Sequence, residues 1–316
     1  MSDYSKILVT GGAGFIGSHI VDRLMQEGFE VVVLDSLFAG KMENVRRHLK
    51  KKNFRLIKED IRYPRVVKAA LKGVDAVFNE AALLGVDFSL KNPLVTEEIN
   101  VMGTLSMLQG CVKAGVKRFI HASSTAVYGE PESTPIREDH PLRPISPYGA
   151  SKLAAEHYCG IFHAAFGLET VILRYFNVYG SRQKSEQYSG AISSFTDKII
   201  KGEPPVIFGD GEQTRDFIHV EDVVEANMRA LESEKAVGEV FNVATGKPTT
   251  INKLADTLLK LCGRRNLEPI YVEPRPGDIR RSYADTSKSE DVLAFKAKIG
   301  LREGLTRILG RGERNA

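Results

Sequence analysis

Tyr148 and Lys152 stand four residues apart in "SPYGASK", residues 146 to 152. On a helix that spacing puts both side chains on one face, where they can meet. An ammonium beside a phenol favours the phenolate, so such a pair could take up and return a proton near working pH. Ser146 fits a helix N-cap and Pro147 the first helical position, which would start the helix there and aim Tyr148 outward from its first turn. Alone, Y-x-x-x-K is common by chance, and an amphipathic surface pair explains it. The upstream run "RFIHASSTAVYG" changes that balance. It reads as a buried strand ending in small hydroxyl residues, at the edge where open α/β sheets place their ligands.

A second group sits near the start of the chain. "ILVTGGAGFIGSHIVDRL" gives an apolar strand, a glycine turn and an amphipathic helix in that order. Gly12, Gly14 and Gly17 satisfy G-x-G-x-x-G, and Gly11, Gly14 and Gly17 satisfy G-x-x-G-x-x-G. Such glycines turn the backbone tightly and let it approach a pyrophosphate, while the helix N-terminus offers unpaired amides. A glycine fingerprint alone is weak, but here it has the strand-turn-helix context it needs. Asp35 closes "EVVVLD" about 20 residues downstream, where a carboxylate can accept from an adenosine ribose. It would repel a 2'-phosphate, which favours NAD over NADP; the competing reading is a cap for the next segment.

The elements that must hold these groups follow from hydrophobic rhythm. "KILVT", "EVVVLD", "FRLIKED", "AVFNEA" and "RFIHASS" alternate with helical segments, which predicts an α/β fold: a Rossmann-type doubly wound parallel sheet with helices on both faces. Beyond "TVILRYFNVYG" the rhythm breaks. "SRQKSEQYSG" is loop-like, a helix is expected from about Ala191, and "DFIHVEDVVEA" with "EVFNVATG" resembles a return to the first sheet. The expected division is residues 1–176 plus about 216–245 for the NAD-binding unit, with about 177–215 and 246–316 as a smaller, discontinuous substrate-binding lobe. The tail "RGERNA" is expected to fray.

Chain-wide properties narrow the function. With 44 basic against 40 acidic residues among 316, the net charge of +4 gives no ground for a nucleic-acid partner. The densest basic run, "RRHLKKK" at 46 to 52, reads as the solvated face of an amphipathic helix. Cys111, Cys159 and Cys262 lack pairing or metal-ligand spacing, so no metal is expected and a reducing compartment is. The start "MSDYSKILVT" lacks the pattern of a secretory leader, and no run is long and apolar enough to span a membrane. These features predict a soluble, cytoplasmic protein.

Taken together, the glycine turn, Asp35, the hydroxyl cluster and the Tyr148/Lys152 pair resemble the extended short-chain dehydrogenase/reductase family, in its NAD-dependent nucleotide-sugar epimerase and dehydratase branch. The resemblance runs through nearly the whole chain. It implies Tyr148 as acid/base, Lys152 as the group that lowers its pKa and holds the nicotinamide ribose, and Ser124 as proton relay. For NAD it implies Gly11, Gly14, Phe15, Ile16, Gly17 and Asp35 at the turn, Asp60 and Ile61 of "KEDI" near the adenine, Ala81 and Ala82 beside phosphates and ribose, Asn100 under the site, and Ser123 near the nicotinamide ribose. Relatives usually read Leu-Ala-Ala or Phe-Ala-Gly where this chain reads "NEAALLG", and Leu84 is expected to replace a polar cofactor contact.

Dehydratases and decarboxylases of this branch usually carry an acid just before "VYG", and this chain has Thr125 and Ala126 there. A methyl group moves no protons, so the departure points to epimerisation at carbon 4 through a 4-keto sugar. By the same resemblance, Asn177, Arg215, Arg275 and Asp278 hold the nucleotide diphosphate and its ribose, and guanidinium forks suit phosphate oxygens. Ser282 stands where a tyrosine in some relatives restricts the pocket to plain hexoses, which predicts room for a 2-acetamido group. The expected substrates are UDP-glucose/UDP-galactose and UDP-GlcNAc/UDP-GalNAc. UDP-glucuronate epimerisation or decarboxylation, another dehydratase or reductase, and a noncatalytic nucleotide- or RNA-binding homologue are the alternatives. Helical segments around 93 to 114 and 149 to 166 match those that pair in dimeric relatives, so a homodimer is expected, although an intrachain core explains the same pattern.

Overall fold

The computed structural model describes residues 4–183, 190–275 and 277–312. The tail from 313 and the loop stretch 184–189 lie outside them. Twelve strands are formed by the described residues: β1 (Lys6–Thr10), β2 (Glu30–Leu34), β3 (Phe54–Ile57), β4 (Ala76–Asn79), β5 (Arg118–Ser124), β6 (Glu169–Tyr175), β7 (Asn177–Tyr179), β8 (Val206–Phe208), β9 (Thr214–His219), β10 (Val240–Val243), β11 (Pro248–Thr250) and β12 (Ile270–Val272). Seven of them make one parallel sheet in the order β10-β6-β5-β4-β1-β2-β3.

The near-continuous apolar runs of these strands are explained by burial on both faces. Successive residues alternate between two cores: Ile7 and Val9, Val31 and Val33, Ala76 and Phe78 face one, while Leu8, Val32 and Val77 face the other. The first core is covered by helices Phe15–Gln26 and Val220–Glu232, the second by Pro64–Ala70, Thr104–Ala114 and Pro147–Phe166. Strand order reverses between β1 and β4, which opens a crevice at their carboxyl ends.

The remaining strands form a three-stranded sheet β11-β9-β7 and a parallel pair β12-β8. They enclose a third core with helices Ala191–Ile200, Ile251–Leu261 and Leu301–Gly312. The expected return to the first sheet within 216–245 is only partly made. Helix Val220–Glu232 and β10 join the large sheet, but β9 pairs with β7 in parallel and with β11 antiparallel. The physical reason is that β10 takes the free edge of β6, so β9 is left to pair outside that sheet.

The basic run at 46 to 52 is also not the helix face expected. One helical turn, Met42–Val45, passes into a 3-10 turn, Arg46–His48, and ends. Asp22 draws the segment inward: Arg47 Nε donates to Asp22 Oδ1 at 2.9 Å, and buried His48 places Nε2 2.7 Å from the same oxygen. Among the described residues no helix is long and apolar enough to cross a membrane.

Candidate active site

A cavity of about 770 Å³ opens at the carboxyl edge of the large sheet and extends to the smaller unit. Its floor begins at the glycine turn. Gly11 has φ +63°, and a Cβ there would lie 2.9 Å from the backbone N and Cα of Ala81. Gly14 N donates to Gly11 O at 2.9 Å, and a Cβ on Gly17 would collide with that same carbonyl. Helix Phe15–Gln26 starts from Gly14 with no side-chain cap and no acidic residue in its first turn. Its first amides are therefore free to meet an anion.

At the end of β2 the buried Asp35 carboxylate accepts from Ala13 N at 2.8 Å and Leu37 N at 2.7 Å. Burial raises its pKa, against the pull of those two amides. Glycine cradle, uncapped helix and a buried acceptor carboxylate at the end of β2 together fit a dinucleotide. Asp60 is held differently. Burial works against its charge, but the Arg62 guanidinium and amide outweigh this and hold its pKa below the usual range.

Helix Pro147–Phe166 begins as its sequence requires: Ser146 Oγ accepts from Gly149 N at 3.1 Å and Pro147 occupies the first position. Tyr148 then faces the cavity beside Ser124, the last residue of β5. Burial raises the Tyr148 pKa, the Ser124 hydroxyl bonded to it lowers it, and the charge of Glu80 raises it again. One turn on, Lys152 is 3% exposed and Nζ donates to Ala122 O at 2.9 Å. Burial pulls it down to about 8, against the charges of Glu80 and Glu156.

Ser123 is tied from behind. Its hydroxyl donates to Glu156, whose carboxylate also receives Arg174 Nε at 3.0 Å and Nη2 at 2.7 Å. Asn100 lies beneath the wall and does not line it. Its side chain brackets Leu83, accepting from the amide at 2.7 Å and donating to the carbonyl at 3.0 Å, and donates to Ser151 Oγ at 3.0 Å. It sits in a π-helical stretch, Glu98–Gly103, between two α-helical segments, and the widened turn aims it at the chain following β4.

The far wall carries Asn177, Arg215, Arg275 and Asp278. Arg215 pairs with Asp278 and donates to Thr214 O at 2.8 Å and Ile279 O at 2.6 Å. The Arg275 guanidinium lies 3.9 Å over the centre of the Phe208 ring. The cavity thus brings together Gly11, Gly14, Phe15, Ile16, Gly17, Asp35, Asp60, Ile61, Ala81, Ala82, Ser123, Ser124, Tyr148 and Lys152 with those four.

Ser282 is not among the lining residues. It is 3% exposed and donates its amide to Thr214 O at 3.2 Å, because the bridge between Thr214 and Arg281 packs this stretch against the start of β9. Leu84 does line the cavity and is exposed. Sequence reasoning missed Glu80, Phe208, Gln213 and Tyr175, which also line it. For Glu80 a signal existed: a carboxylate follows directly on β4, Ala76–Asn79, at the carboxyl edge where open α/β sheets place their ligands.

Comparison with known proteins gives a family and structural relatives of the same fold. A family model described as the NAD dependent epimerase/dehydratase family matches residues 7–244. A putative UDP-glucose 4-epimerase of Methanocaldococcus jannaschii is 43% identical over 304 residues, covering 96% of this chain and 97% of that protein. The crystal structure of a UDP-glucose 4-epimerase of Thermotoga maritima with UDP-glucose superposes with a TM-score of 0.93 at 39% identity, covering 98% of this chain and 99% of that one. A UDP-N-acetylglucosamine 4-epimerase from Methanobrevibacter ruminantium, in complex with UDP-N-acetylmuramic acid, gives 0.94 at 39% identity over the full length of both.

Proposed function

Because the chain belongs to the NAD dependent epimerase/dehydratase family, we propose that it is an isomerase inverting carbon 4 of a UDP-sugar. The observation that carries this reading is one proton-handling unit, Ser124–Tyr148–Lys152, set between a dinucleotide cradle and a wall carrying Arg215 and Arg275, with Ala126 where an eliminating enzyme would need an acid. The chemistry NAD supplies when bound is acceptance and return of the carbon-4 hydride.

The chain's own groups do the rest. Tyr148, directly or through Ser124, takes the proton of the 4-hydroxyl and later returns it. The Lys152 ammonium stabilises the phenolate that forms. Arg215, Arg275 and Asn177 anchor the diphosphate, so the sugar can turn over between removal and return without leaving. Gly11, Gly14, Phe15, Ile16 and Gly17 would hold the dinucleotide pyrophosphate at the turn, Asp35 its adenosine ribose, Asp60 and Ile61 the adenine end, and Ser123, Ala81 and Ala82 the rest.

The substrates are UDP-glucose/UDP-galactose together with UDP-GlcNAc/UDP-GalNAc, a range supported by the two kinds of relative above. The working form is a homodimer joined through the helical faces around 93–114 and 149–166, where Leu94, Met102, Ile161 and Phe166 are exposed on one chain. Incubation with UDP-galactose, UDP-GalNAc and UDP-glucuronate separately, with Tyr148→Phe as control, tests the reading. Interconversion to the 4-epimer without net NADH, lost in the variant, is expected. Unchanged sugars, or release of carbon dioxide from the uronate, would overturn it.

A further inference from the structure

Glu80 follows β4 directly, and its side chain lines the cavity beside the Tyr148/Lys152 pair, yet no step above uses it. Three elements face it. Helix Pro147–Phe166 presents Lys152 and Tyr148, both within reach of its charge. β6 presents Tyr175, whose hydroxyl donates to Glu80 Oε1 at 2.9 Å. Helix Val220–Glu232 presents Asn227, whose Nδ2 donates to the Tyr175 oxygen at 2.7 Å and to Val223 O at 2.8 Å. Behind Lys152 stand Glu156 and, on β5, His121, which burial first and Lys152 second keep neutral. The Glu80 carboxyl is therefore held in one place by a buried chain of hydrogen bonds rather than left to swing in the cavity.

A fixed carboxylate there acts on both members of the pair with the same sign. Its negative charge favours the Lys152 ammonium and disfavours the Tyr148 phenolate, so it raises the proton affinity of each. We infer that Glu80 is a positioning residue that sets these two proton affinities together, so that the pH at which Tyr148 gives up its proton and the pH at which Lys152 gives up its own rise and fall with the charge on one carboxyl. The inference rests on the reading of Tyr148 and Lys152 as the acid/base unit. Burial lifts Glu80 itself to about 7, against the Tyr175 hydroxyl and Lys152, so its charge varies across the range where the unit works.

The test reads Tyr148 directly in protein without substrate. The ultraviolet titration of the protein minus that of its Tyr148→Phe variant isolates one phenol among ten tyrosines. In Glu80→Gln, phenolate is expected to form at lower pH, and both limbs of the kcat/KM profile to move down by about one pH unit. Tyr175→Phe, which removes the donor to the carboxylate, is expected to move them the same way by less, and to add nothing in the Glu80→Gln background. Should Glu80→Gln fail to fold by circular dichroism, Tyr175→Phe decides alone. An unchanged Tyr148 titration in a folded variant would overturn the inference. A shifted titration in a protein that converts no nucleotide sugar would instead sink the functional reading and leave this one standing.

Discussion

Behind the reactive end of β5 lies the ion pair of Glu156 and Arg174, 5% and 3% exposed. Glu156→Gln removes the charge but little volume. The Arg174 guanidinium would keep its bonds to the Tyr128 hydroxyl and Glu138 O, both at 2.9 Å, and lose the buried carboxylate that balances its charge. Breaking one side of a buried pair costs about 3–5 kcal/mol, a large share of the roughly 5–15 kcal/mol that holds a domain together. At about 2–4 °C per kcal/mol, the melting temperature should fall by on the order of 10 °C. The chain has no tryptophan, so calorimetry or circular dichroism is the assay. Glu156→Gln with Arg174→Met removes both charges and should recover most of the loss, because the penalty comes from the stranded cation. Below the melting range, Glu156→Gln should also lower kcat, since the Ser123 hydroxyl exchanges a carboxylate acceptor for a weaker amide one. A loss under about 1 kcal/mol, the size of an exposed pair, would refute the description of this network as buried and charge-balanced.

Gly17→Ala forces a Cβ onto Gly11 O at the centre of the cofactor turn, so the protein should fold but retain far less NAD, read by the absorbance of cofactor released on denaturation; full retention would mean the turn has slack that its geometry denies. Because burial raises the folded pKa of Glu80 from 4.5 to about 7, its contribution is fully present below about pH 4.5 and is lost as pH rises through 7. Relative to Glu80→Gln, the parent should therefore lose stability between pH 5 and 8, by at most about 3 kcal/mol, and parallel melting curves across that range would contradict the sign. Ser282→Tyr should remove activity on the N-acetylated sugars selectively by pressing the β9 wall into the cavity; equal loss on plain hexoses would end the case for Ser282 in specificity.

Much of this arrangement was legible where a local signal and a global one coincide. Ser146, Pro147, Tyr148 and Lys152 lie within about two turns of helix, so capping chemistry and spacing place them without tertiary knowledge. The alternating two-core pattern of β1, β2 and β4 likewise follows from unbroken apolar runs. What was not legible depends on partners distant in sequence. β9 carries no mark of the sheet it joins, because a six-residue, mostly buried strand suits either until β10 occupies the edge. Ser282 aligned with a pocket position, yet a single backbone bridge to β9 puts it behind the wall. Glu80 drew no reading from the sequence, and only the approach of Tyr175, 95 positions later, shows its carboxyl to be fixed.

The most direct test of the central claim follows the carbon-bound hydrogen itself. UDP-galactose carrying deuterium at carbon 4 would be incubated with the purified protein and the product examined by NMR. If carbon 4 is inverted by removal and return of a hydride within one closed site, the UDP-glucose formed keeps its deuterium at carbon 4 and no NADH appears in solution. Exchange of that deuterium for solvent hydrogen, or an equivalent of NADH released per turnover, would show that a different reaction takes place between the glycine turn and Tyr148.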